Sequence, residues 1–127
     1  MKPADLAAAF EDCSLDLNVF SHEEHLKLAW YYLGKMPVPE AMIRMRDGLL
    51  KITAHNGITG KYHETITFSL LMVIAQRREN AANPGWSAFL DTNKDLAQWR
   101  DTLAKYYHPG TLDSAAARGH FLFPDVL

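Results

Sequence analysis

The chain has 127 residues, 48% of them hydrophobic and 22% charged, and 13 basic against 15 acidic side chains give a formal charge of −2 with the six histidines neutral. That size and balance exclude a disordered chain and suit one domain, residues 1–127, able to bury a core without metals or disulfides. No basic run exceeds Arg77-Arg78, which excludes a phosphate-tracking nucleic-acid surface; the single Cys13 rules out an internal disulfide, and Ile66–Ala75, the longest apolar-leaning run, is too short for a membrane span.

Met1–Asp12 lacks the basic-then-apolar pattern of a secretory signal, so the expected location is cytoplasmic. Within it, residues 4–12 form a short amphipathic helix with Leu6 and Phe10 four apart. The first strong element starts at Ser21. S-H-E-E there satisfies the capping-box pattern, in which the serine hydroxyl accepts from the Glu24 amide and the Glu24 side chain reaches back. This first main helix runs to about Lys35, with Leu26, Ala29, Trp30 and Leu33 inward and His22 and His25 extending that face toward its start.

Pro37 and Pro39 stop it and open a second helix, about Glu40–Asn56, striped by Met42, Met45, Leu49 and Ile52 and closed by Gly57 in a left-handed position. A third helix, about Tyr62–Asn80, turns Ile66, Leu70, Val73 and Ile74 inward and continues that stripe back through Thr67 and His63. Asn83-Pro84-Gly85 breaks it. Residues 86–91 make a helical turn or two before a fourth helix, about Lys94–Tyr107, with Leu96, Trp99, Leu103 and Tyr106 or Tyr107 on one face. Asp113 or Ser114 caps a last short helix through Arg118, and Phe121 and Phe123 in the tail lie back on the rest. No stretch alternates long enough for a strand. The reading is all-α: a compact antiparallel bundle of four main helices with short flanking ones.

Short connections make consecutive helices antiparallel. The start of the first main helix, the end of the second and the start of the third then share one end of the bundle, bringing His22, His25, His55 and His63 together, with His108 joining if the fourth helix runs back. A helix N-terminus disfavours a protonated imidazole. Neutral rings are the form that binds a metal or acts as a base. His22 and His25, three apart, share a helical face; with His63 they make a three-imidazole set with one position open, suited to zinc, iron, copper or nickel. Glu64, Glu24 or His55 could add a fourth ligand or steady a ring nitrogen. A metal-free site would use His63 with Glu64 or Glu24 as an acid-base pair. The bland alternative is that each ring only bonds a loop carbonyl.

Sharper motifs are absent. HEEH has the wrong spacing for H-E-x-x-H, HETIT carries Thr67 where the second histidine should stand, and no E-x-x-H occurs. GITGKY lacks the features of a phosphate-binding loop and reads as a helix cap and turn.

Taken together, F-S-H-E-E-H-L-K-L-A-W-Y-Y-L at 20–33, G-K-Y-H-E-T-I-T at 60–67 and L-D-S-A-A-A-R-G-H-F-L-F-P-D at 112–125 resemble a family of small all-helical bacterial proteins of uncharacterised activity. The resemblance implies a single helical domain and directs attention to His22, His25 and His63, leaving His55 and His108 outside its motifs. The expected function is a small metal-binding protein able to act as an enzyme, with metal ligands His22, His25 and His63 and with His63 and Glu64 as catalytic groups. The alternative is a metal-free helical module that binds a small molecule or a protein partner, or dimerises through exposed aromatics such as Tyr31 and Trp86.

Overall fold

In a computed structural model, which describes residues 1–80 and 85–127, all regular structure among the described residues is helical. Helix α1 (Pro3–Glu11) begins with a proline whose fixed φ suits a first turn, and it buries Leu6, Ala7 and Phe10. Just past its end Cys13 takes a left-handed φ of 62°, while the Asp12 carboxylate accepts the Ser14 amide at 2.9 Å.

Helix α2 (His22–Leu33) is capped by Ser21, which accepts the Glu24 amide at 3.4 Å. The return half of the expected capping box is replaced, because the Glu24 carboxylate instead takes Lys27 at 3.0 Å and Lys27 also donates to the Met1 carbonyl. α2 packs against α1, α3 and α4, so its buried face widens beyond the predicted stripe to include Leu28 and Tyr32. Helix α3 (Val38–His55) carries the predicted stripe of Met42, Met45, Leu49 and Ile52, and Gly57 follows it at φ +70°.

Gly48 on α3 lets α1 come close. A β-carbon there would lie 2.1 Å and 2.3 Å from ring atoms of Phe10, which is fully buried. Helix α4 (Glu64–Glu79) starts two residues later than its sequence pattern suggests, for a reason that bears on the site. Residues 83 and 84 of the expected break lie outside the described residues.

Beyond Gly85 come α5 (Trp86–Thr92), a 3₁₀ turn (Lys94–Gln98), α6 (Trp99–Leu103), α7 (Pro109–Leu112) and α8 (Ala115–Gly119). The single fourth helix expected over 94–107 is therefore not formed. Thr102 donates its hydroxyl to the Asp95 carbonyl at 3.1 Å, and His22 takes the Leu96 carbonyl at 3.0 Å; two carbonyls that a continuous helix would use internally are spent on side chains. Arg77 on α4 also holds the Asp95 carboxylate through two bonds of 2.6 and 2.8 Å.

The tail divides. Phe121 packs on Phe68 at 4.6 Å between centroids, whereas Phe123 is 84% exposed, contrary to expectation. Tyr107 rather than Tyr106 is the buried tyrosine of the pair; its hydroxyl bonds Ser69 and the Leu122 carbonyl. Trp86 and Tyr31 are half-buried, the former against Trp30 and Phe89 and the latter beside Tyr32. No described helix is long and apolar enough to cross a membrane.

Candidate functional site

The inward faces of α2, α3 and α4 do not close on one another at one end. A cavity of about 470 Å³ remains there, walled by side chains such as Leu26, Ala29, Met45, Leu49, Ile52, Leu70 and Ile74. Thr53 and Ile58, at the end of α3, line the same space as His22 and His25 at the start of α2 and His63 at the start of α4. The three histidines thus come to one place. His55 and His108 are exposed and do not line it.

What the three rings do there differs. His63 is the N-cap of α4: its Nδ1 accepts the Ile66 amide at 3.1 Å. Its Nε2 lies 2.6 Å from the Leu112 carbonyl oxygen, an acceptor, so Nε2 carries the proton and donates. Both ring nitrogens are thereby spent on backbone, and neither presents a lone pair to the cavity. His22 donates through Nε2 to the Leu96 carbonyl at 3.0 Å. His25 stacks on Phe20 with centroids 3.9 Å apart, and no hydrogen bond engages its ring among the described residues. Among the described residues no group of three His, Cys, Asp or Glu side chains is arranged to hold a metal ion. In this arrangement the expected three-imidazole set is one ring short, because capping α4 and holding Leu112 occupy His63.

Neither carboxylate of the expected acid-base pair hydrogen-bonds His63 among the described residues. Glu64 accepts a very short bond from the Tyr62 hydroxyl and lies 3.5 Å from Arg46, and it is not among the cavity-lining residues. Burial, and then the Glu64 carboxylate beside it, raises the Tyr62 hydroxyl well above the ordinary phenol range. Glu24 is committed to Lys27. The Thr67 hydroxyl bonds the His63 carbonyl at 2.7 Å, the common habit of a helical threonine, and does not orient the ring.

Burial pushes His25 down to about 4, with the neighbouring His22 adding to the effect. Its ring is neutral at physiological pH. An unfolded chain protonates it near 6.5, the folded one not until about 4. Stability linked to this ring is therefore complete above that window and is lost as the pH falls through it, by at most about 3 kcal/mol. Urea midpoints measured near pH 7.5 and 4.5 should converge for His25→Leu relative to wild type, and an unaltered pH dependence in that variant would refute the assignment.

Sequence reasoning missed the cationic mouth. Lys61, Arg100 and Arg118 are exposed and line the cavity, Arg100 lying over the Trp99 ring at 4.5 Å and Arg118 donating to the carbonyls of Gly60 and Lys61. The signal available was Arg118 in A-A-A-R-G and Lys61 in G-K-Y-H; nothing local marks Arg100. No family model, curated protein or solved structure matches this chain in the comparisons made with known proteins.

Proposed function

We propose that this protein is a small-molecule-binding module whose ligand lies in the cavity between α2, α3 and α4 with its apolar body against their inward stripes. The observation that carries this reading is the cavity itself. It opens to solvent at the histidine end, and about 470 Å³ walled largely by Leu, Ile and Met side chains falls in the range of ligand pockets. His22 and His25 supply polar groups at its edge, and the unbonded His25 ring is available to orient a ligand by hydrogen bonding. The arrangement of α1–α4 is read as an antiparallel bundle with one open end.

Ala29, buried on the cavity wall, gives the test. N-phenylnaphthylamine, a neutral apolar fluorophore, should bind wild type with one-to-one stoichiometry and bind Ala29→Phe at least about tenfold more weakly, because the new ring occupies its place. Equal binding by a folded Ala29→Phe variant would refute the reading.

A metal centre on His22, His25 and His63 is the second reading, favoured by their shared lining of one cavity. It requires His63 either to release Leu112 or to uncap α4, since a metal takes one ring nitrogen. Metal retained by the purified protein and lost in His25→Ala would support it.

A further inference from the structure

The charges around the cavity are one-sided. Acidic side chains outnumber basic ones in the chain as a whole, yet no Asp or Glu lines the cavity among the described residues, while Lys61, Arg100 and Arg118 do. The ion pairs found among the described residues use Lys27, Arg44, Arg46 and Arg77 and leave these three without a carboxylate. Arg100 has its guanidinium carbon 4.5 Å from the Trp99 ring centroid, and its side chain donates no hydrogen bond among the described residues. Unneutralised cations around an apolar space focus a positive potential on its mouth.

We infer that the ligand is an amphipathic monoanion: a free carboxylate with an unbranched or aromatic body, its head among Lys61, Arg100 and Arg118 and its body in the cavity. The inference rests on the cavity being a ligand site. At roughly 30 Å³ per water-sized group, the space takes on the order of 15 heavy atoms with the head included, which accommodates a medium-chain fatty acid. A cationic ligand would meet like charge at the mouth, and a neutral one would leave the cations unused. Guanidinium and ammonium donors to a carboxylate form the stronger, charge-assisted class of hydrogen bond.

Competition against the neutral fluorophore separates head from body. Decanoate should displace N-phenylnaphthylamine at concentrations at least about tenfold below those needed for decanol, and decyltrimethylammonium should be the weakest of the three. The preference for decanoate over decanol should shrink with added salt and fall toward one in Lys61→Gln/Arg100→Gln. Both residues are exposed, and neither side chain donates a hydrogen bond among the described residues, so the double variant should fold normally. Equal displacement by decanoate and decanol would overturn the anion inference and leave the cavity reading standing. Failure of the fluorophore and of all three competitors to bind would remove both.

Discussion

Replacing His63 by alanine should destabilise the fold by about 2–4 kcal/mol with no metal or ligand present. Loss of an N-cap costs about 1 kcal/mol, and a buried carbonyl left without its donor costs roughly 1–3 kcal/mol more. Both losses fall on one substitution because the ring is shared: Nδ1 holds the Ile66 amide and Nε2 holds the Leu112 carbonyl, 49 residues away in sequence. With a urea slope of about 2 kcal/mol/M for a small domain, the midpoint should drop by roughly 1–2 M. His63→Asn should recover about 1 kcal/mol, since asparagine caps well but is too short to serve both partners. A His63→Ala protein as stable as wild type would show that the ring does not hold the structure together and would return it to consideration as a site residue.

Gly48→Ala should cost about 2 kcal/mol even though alanine is the better helix former by about 1 kcal/mol. The new methyl would sit 2.1 Å from a Phe10 ring atom, and a fully buried ring cannot swing clear, so α1 must move off α3. Gly34 makes the contrast. Its β-carbon would crowd the end of the Arg78 side chain, which can shift, and lie at an ordinary contact distance of 3.4 Å from the Tyr31 carbonyl, so substitution there should be mild. A double-mutant cycle with Phe10→Leu should show coupling of about 1–2 kcal/mol, the pair losing less than the sum of the single variants. Additive effects would mean that the two positions do not touch.

Much of the architecture could be read from residue patterns because those patterns report local physics. Ser21, Pro37, Pro39 and Gly57 act where their conformational preferences say they should, and the stripe of α3 is buried as spaced. The start of α4 was displaced because a histidine ring does the capping work usually given to Ser, Thr, Asp or Asn. The fourth helix failed for a non-local reason: its helical periodicity is real, but His22, Arg77 and Thr102 claim the backbone and side chains of its first turn. The candidate site was legible to the same depth. His22, His25 and His63 do line one cavity, yet what the ring nitrogens of His22 and His63 face depends on Leu96 and Leu112, whose carbonyls no spacing rule connects to them.

Thr65 is completely buried near the start of α4; its hydroxyl donates to the His120 carbonyl and accepts the Leu122 amide. A helix has already used its own backbone groups, so an extended segment crossing it finds no ladder to join and must be stitched down by side chains. Thr65, with Tyr107 on Leu122, performs that stitching, and Ser69 beneath steadies the tyrosine. The polar residues that blur the greasy face of α4 are therefore fastenings of a non-helical strap, and a stripe made perfectly oily at positions 65 and 69 would leave the strap's first residues held only by Tyr107 and the Phe68 ring, its end staying bonded to the Tyr106 carbonyl.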